Sequence, residues 1–197
     1  MLRLEDLKIP DVEPINLTIA PGECFGVSGE SGSGKTRLLR AIADMDEHYG
    51  QVYEANVAQD QVKAHEWRRR VVMLPAESQW WFDTVEEHFS AHLDHFEALG
   101  FAPEVLSWNI SRCSSGEKQR LAILRMLSIC PRVLLLDEPT ANLDSANIAR
   151  VEDLIGNFLT EHNAMAIWVS HDAEQLQRVS QKQFYLSDGK LVKASES

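Results

Sequence analysis

Residues Gly29-Glu30-Ser31-Gly32-Ser33-Gly34-Lys35-Thr36 read G-x-x-x-x-G-K-[ST], and this pattern constrains the local path of the chain more tightly than any other stretch. Before it, Cys24-Phe25-Gly26-Val27-Ser28 is a short apolar run that suits a buried strand; after it, Arg37 to Asp44 carries Leu38, Leu39, Ile42 and Ala43 at helical spacing. In a strand–loop–helix of this kind, glycines let successive backbone N–H groups turn inward on a phosphate, and the helix adds its positive dipole end. Lys35 is then expected to reach β- and γ-phosphates, and the Thr36 hydroxyl to hold Mg²⁺. A glycine turn that merely joins strand to helix is the alternative. It is disfavoured because seven of the eight positions are Gly, Ser, Lys or Thr in that context.

The chain has 197 residues, 44% of them hydrophobic and 25% charged, which suits one well-packed domain and gives no sign of disorder. A formal net charge of -11 argues against nucleic acid as a partner, because phosphate backbones need a basic face. It equally disfavours direct adsorption to anionic lipid. Arg68-Arg69-Arg70, the one basic run, reads as a solvated edge before a strand. Cys24, Cys113 and Cys130 are widely spaced with no C-x-x-C, a reduced, cytosolic pattern without a zinc site. Residues Met1 to Pro10 show no leader-like apolar stretch, and no run approaches the ~18 apolar residues of a membrane span. Any membrane role is therefore expected to fall to another polypeptide.

Leu2 to Ile9 and Ile15 to Ile19 alternate apolar with polar residues ahead of a Pro21-Gly22 turn, as antiparallel strands do. Val71-Leu74, Val133-Leu136 and Ala166-Val169 are apolar strands, and Ser145 to Glu161 is an amphipathic helix. Thr84 and Glu87 have capping-box spacing, and residues 79–112 are expected to be mostly helical with a break at Gly100 to Pro103. Phe184 to Val192 reads as a hairpin around Asp188-Gly189. Apolar strands alternating with helices predict an α/β fold: a phosphate-loop core with a mostly parallel sheet, an N-terminal antiparallel part and a small helical lobe. Residues 1–197 are expected to form a single domain, with the lobe at about 79–112 inserted.

Asp137 and Glu138 end an apolar strand, which in open α/β sheets is the ligand-facing edge. Asp137 suits an Mg²⁺ role beside Thr36, and Glu138 the polarisation of an attacking water; two carboxylates capping a turn before Pro139 is the plainer alternative. His171 ends a second core strand, where an imidazole can contact a γ-phosphate, although a strand-end histidine alone carries little. Ser114-Ser115-Gly116-Glu117-Lys118-Gln119-Arg120 precedes a helix, with Ser114 and Glu117 again at capping-box spacing. An exposed helix start rich in Ser and Gly is a second anion site.

This segment resembles the signature motif of ATP-binding cassette (ABC) proteins. With it come Ala141-Asn142-Leu143-Asp144, which resembles their D-loop, and His171 at the place of their switch histidine. The resemblance implies that the signature of one subunit closes over ATP on the phosphate loop of another. A chain with one loop and one signature then works as a head-to-tail homodimer with two ATP at the interface. The resemblance assigns Glu138 the general base, His171 the γ-phosphate sensor, Ser114, Ser115, Gly116 and Glu117 the contact in trans, and Asp144 the inter-subunit link. It implies ATP and Mg²⁺ as ligands and a separate transmembrane permease as partner. The chain would then be cytoplasmic and peripheral on the inner face of the cell membrane. The stretch from Asn109 to His171 is similar to ATPase subunits of small bacterial export cassettes proposed to move iron. A non-transport cassette regulating an envelope complex, or a low-turnover nucleotide switch, are the rival expectations.

Three positions depart from the family pattern. Ala76 stands where a glutamine is expected, with Glu77 or Gln79 as substitutes; Ser115 replaces the first signature glycine; and no aromatic near Ile9 to Glu13 stacks the adenine. The last departure predicts modest discrimination between ATP and GTP. His88, His92 and His95 fall at i, i+4, i+7 on the predicted helix, a spacing able to bind a transition metal, although a solvated or docked polar face is the expected reading. Trp80, Trp81 and Phe82 are expected either to pack inward or to form an apolar rim for a permease.

Overall fold

The computed structural model describes residues 1–89 and 95–194. Two sheets organise it. Strands β1 (Leu2–Lys8), β2 (Ile15–Ile19), β4 (Tyr49–Glu54) and β5 (Val57–Ala58) form an antiparallel sheet in the order β2-β1-β4-β5. The second sheet takes β3 (Cys24–Gly29), β6 (Val71–Leu74), β7 (Val133–Asp137), β8 (Met165–Val169), β9 (Lys182–Ser187) and β10 (Lys190–Lys193). Its order is β10-β9-β3-β8-β7-β6, parallel throughout except for the terminal β9–β10 hairpin. Asp188 and Gly189 turn that hairpin at φ 48° and 73°, as the Asp-Gly pair predicts.

The continuous apolar runs of β7 and β8 arise because both faces of this sheet are covered. Val133 and Leu135 enter one hydrophobic cluster with β1, β2 and helix α1 (Lys35–Ile42), while Leu134 and Leu136 enter another with α3 (Ser115–Leu127) and α4 (Ser145–His162). Strand periodicity thus sends neighbouring residues to opposite cores. No helix among the described residues is long and apolar enough to cross a membrane.

Four strands and helices are not legible in the pattern: β4, β5, α2 (Ala64–Arg70) and α5 (Ala173–Val179). The Arg68–Arg70 run closes α2 and is put to use rather than merely solvated. Arg68 donates to the Asp44 carbonyl, and Arg70 and Arg132 each lie 3.9 Å from the buried carboxylate of Glu54.

The segment expected to be helical departs most. Its described residues form 3-10 turns at Glu86–His88, Glu97–Leu99, Pro103–Ser107 and Ile110–Arg112. Glu87 does accept from the Thr84 amide and hydroxyl at 3.0 and 2.6 Å, so the cap forms without its helix. The Val85 amide is taken by the Trp108 carbonyl and the Ile110 amide by Asp83, with Thr84 bridged to Asn109. Pairing with residues 108–110 therefore replaces helix propagation. Gly100 at φ 75° ends one 3-10 turn as the expected break requires.

Candidate functional site

A cleft of about 350 Å³ opens at the carboxyl ends of β3, β7 and β8. It is lined by Ser31, Gly32, Gly34, Lys35, Thr36, Arg37, Ala76, Asp137, Glu138 and His171. The loop that forms its floor exists because of its glycines. Gly29 (φ 149°) approaches the Leu186 backbone so closely that a Cβ would collide with its carbonyl oxygen, and Gly34 (φ 108°) turns the chain into α1 in a conformation open to glycine. No side chain caps α1, so its first-turn amides and dipole face the cleft. Lys35 is buried, and its Nζ donates to the carbonyls of Gly29 (2.7 Å) and Glu30 (2.8 Å). Burial lowers its proton affinity, opposed by the charges of Glu138 and Asp137.

The Thr36 hydroxyl donates to Asp137 Oδ2 at 2.8 Å, which brings together the two oxygens expected to hold a divalent cation. Hard oxygen donors of this kind fit Mg²⁺. One residue on, Glu138 adopts φ 48°, a strained conformation for a non-glycine residue. Its Oε1 is buried without a hydrogen-bond partner and lies 3.5 Å from His171 Nε2. Burial raises the Glu138 pKa and Asp137 adds to the rise, while His171 and Lys35 oppose it. A half-buried carboxylate with an unused oxygen, facing a lysine and an imidazole, is chemically equipped to accept a proton in the cleft. Arg37, which the sequence did not single out, also lines the cleft and contacts Asp11 at 3.4 Å. Asp11 also walls a groove of about 780 Å³ formed by residues 8–11 and 44–49.

The second group of expected residues stands apart from this cleft. Ser114 caps α3 in a complete capping box: its Oγ accepts from the Glu117 amide at 3.2 Å, and Glu117 Oε2 accepts from the Ser114 amide and hydroxyl at 2.8 Å each. These bonds pull the Glu117 carboxyl below its usual range. Ser114 and Ser115 are exposed, and Gly116 packs so tightly against Leu143 that an added Cβ would sit 3.2 Å from it. Asp144 is exposed and caps α4 through the Asn147 amide and side chain, at 2.9 Å each. Residues 114–117 and Asp144 thus form a neighbourhood of their own, outside the walls of this cleft.

Among the departures, Ala76 lines the cleft, whereas Glu77 and Gln79 are not among its walls. His88 is buried. Its Nε2 accepts from the amides of Trp81 and Phe82 at 3.0 Å each and its Nδ1 donates to Thr84 at 2.8 Å, so both ring nitrogens are spent on the backbone. His92 lies outside the described residues, and no group of three metal-binding side chains occurs among those described. The aromatic run divides: Trp80 packs on the core, while Trp81 and Phe82 are 63% and 48% exposed. Arg125 stacks over both tryptophans, 4.4 and 4.9 Å from the ring centres.

Comparison with known proteins adds four findings. A family model described as "ABC transporter" matches residues 12–141. The chain is 30% identical over 176 residues to the probable iron export ATP-binding protein FetA of Escherichia coli (strain K12), covering 82% of this chain and 78% of that protein. It is 33% identical over 185 residues to the aliphatic sulfonates import ATP-binding protein SsuB 2 of Pseudomonas syringae pv. syringae (strain B728a), covering 92% and 65% respectively. Among solved structures, the dimeric post-hydrolysis state of the ATP-binding cassette MJ0796 bound to ADP and Pi superposes with a TM-score of 0.83 at 22% identity, covering 99% of this chain and 98% of that one.

Proposed function

The chain belongs to the ABC transporter family, as its ATPase domain, and from that premise we propose that it is the ATP-hydrolysing subunit of a bacterial transporter. It works as a head-to-tail pair of identical chains, each acting as one unit, docked on a separate membrane-spanning permease at the inner face of the cell membrane. The observation that carries this reading is the division of the site. Lys35, Thr36, Asp137, Glu138 and His171 share one cleft, while the capped, exposed start of α3 lies elsewhere on the same chain. A second copy, inverted, supplies the missing wall, and one closed dimer satisfies both sites.

In this reading, residues 29–36 cradle the triphosphate. The Lys35 ammonium leaves its two loop carbonyls for the β- and γ-phosphate oxygens. Thr36 and Asp137 would hold Mg²⁺, which would supply positive charge to offset that of the triphosphate. Glu138 takes a proton from a water whose oxygen attacks the γ-phosphorus; the bond to the bridging oxygen breaks, and ADP leaves with its electron pair. Burial of the Glu138 carboxyl raises its proton affinity, which suits a base. His171 senses the γ-phosphate, Ser114 to Glu117 meet it from the partner, and Asp144 links the two chains. ATP closes the pair and hydrolysis opens it, a two-state switch set by the ligand. Trp81 and Phe82, exposed beside Arg125, offer the permease an aromatic surface. Export of iron is the finer reading, supported by the likeness to FetA; the likeness to SsuB 2 supports the same nucleotide chemistry with import as its use.

Co-purification with a membrane protein encoded beside this chain, followed by ATPase assays with candidate cargoes, tests the transport role. A cargo-stimulated rate supports it. An ATPase that binds no membrane partner and responds to no cargo contradicts it.

A further inference from the structure

Of the buried glutamines that the roles above do not use, Gln59, Gln119 and Gln175, the last two bear on the segment after Glu138. Gln119, on α3, is 6% exposed and Gln175, on α5, is 2% exposed. Burying an amide among apolar side chains is unfavourable unless its hydrogen bonds are made, and both make them to the same short stretch. Gln119 Nε2 donates to the Pro139 carbonyl at 3.2 Å. Gln175 exchanges bonds with the Thr140 hydroxyl, at 2.9 and 3.1 Å. Pro139 and Thr140 directly follow Glu138, whose backbone holds φ 48°. Such a conformation persists only where the surroundings over-determine it. The grip is itself braced: Gln175 also accepts from Trp168 Nε1 at 3.3 Å and donates to Glu152 at 2.9 Å, and Glu152 is forked by Arg178 at 2.9 and 3.0 Å.

We propose that Gln119 and Gln175 are positioning residues for ATP hydrolysis: from two different helices, α3 and α5, they clamp the turn that aims Glu138 at the γ-phosphate. The inference rests on the reading of Glu138 as base. It has a structural consequence. Gln119 lies one helical turn beyond the α3 start offered to the partner's nucleotide, and Gln175 one turn beyond His171. The two elements that meet a γ-phosphate, one in trans and one in cis, therefore both reach the base through a buried amide. Gly116, tight against Leu143, adds a second point at which α3 bears on the segment after Glu138.

The test uses the full chain with Gln119→Met and Gln175→Met, which keep volume and remove the donor, measured beside Lys35→Ala and Glu138→Gln. Misplacing a reacting group by about 1 Å costs on the order of 10²-fold in rate, so kcat for ATP is expected to fall 10- to 100-fold in each methionine variant. ATP affinity, set by residues 29–36, should stay within about twofold. In a Glu138→Gln background, Gln119→Met should lower the residual rate by less than about twofold, because the two act as one unit. Thermal unfolding reports whether each variant is folded. If the methionine variants do not fold, Thr140→Val removes the partner hydroxyl from the turn side and is read in the same way. Folded variants with unchanged kcat overturn the inference, as does an equal fold-loss with and without Glu138. Loss of turnover in Lys35→Ala and Glu138→Gln, with methionine variants unaffected, sinks this inference alone. Normal turnover in Glu138→Gln sinks the reading of the base and this inference with it.

Discussion

Replacing Ser114 separates two jobs that the capping box and the proposed trans contact assign to one hydroxyl. Its Oγ accepts from the Glu117 amide at 3.2 Å, one of the otherwise orphaned donors at the start of α3. Ser114→Ala abolishes that cap at a cost of about 1 kcal/mol, whereas Ser114→Gly costs only a few tenths of that order. For a chain of 197 residues, the alanine variant should melt about 2–4 °C lower and the glycine variant about 1 °C lower at most. Both variants lack the hydroxyl offered to the partner's γ-phosphate. A hydrogen bond to a charged group is worth about 1.5–3 kcal/mol, so each site should lose roughly 10- to 150-fold in ATP-driven pairing. Scanning calorimetry without nucleotide gives the first quantity. Light scattering across an ATP titration, in a Glu138→Gln background that accumulates the closed pair, gives the second. The expected outcome is a split: unequal melting, equal failure to pair. If Ser114→Gly pairs at the parent's ATP concentration, the trans role of the hydroxyl is wrong. If the two variants melt alike, the cap is not what Ser114 contributes.

Lys35→Ala should abolish tight ATP binding in calorimetric titration, because its buried ammonium sits inside the loop on the Gly29 and Glu30 carbonyls; unchanged affinity would remove Lys35 from the site. Glu138→Gln should bind ATP normally and stall turnover, and near-normal phosphate release would contradict the base assignment. ATP and GTP should bind with comparable dissociation constants, since residues 9–13 bring no aromatic to stack a base; a hundredfold preference for ATP would refute this. Chelating Mg²⁺ with EDTA should stop hydrolysis, because Thr36 Oγ1 and Asp137 Oδ2, already 2.8 Å apart, leave the triphosphate charge unbalanced on their own; turnover that continues would show that these two oxygens hold no metal.

How much of this was legible in the sequence follows from how far each signal reaches along the chain. The strands β3, β7 and β8 are readable because each is buried on both faces and so shows an uninterrupted apolar run. The capping boxes are readable because Ser114 and Glu117 are three residues apart. The same local rule misleads at Thr84 and Glu87. The cap forms there, but the Val85 amide goes to the Trp108 carbonyl and the Asp83 carbonyl to the Ile110 amide, far along the sequence, and a 3-10 turn results. Strand β4 is hidden because its buried face ends in Glu54, a carboxylate faced by Arg70 and Arg132 from other elements. At the site, motif order in the sequence points to Lys35, Thr36, Asp137, Glu138 and His171, and the fold gathers them in one cleft. It does not point to Gln119 and Gln175. A glutamine on a helix reads as surface, and only the tertiary packing buries both against the turn after Glu138. For Gln175 one signal was available: Asp172, three residues earlier, caps α5 and fixes the register that points position 175 inward.

The most direct measurement of the central claim is a structure of the Glu138→Gln chain with Mg²⁺ and ATP. Two inverted copies should enclose two nucleotides, with each triphosphate on Lys35 of one copy and against Ser114 of the other. A nucleotide held by Lys35 alone, with every Ser114 turned to solvent and far from the neighbouring ligand, would contradict it.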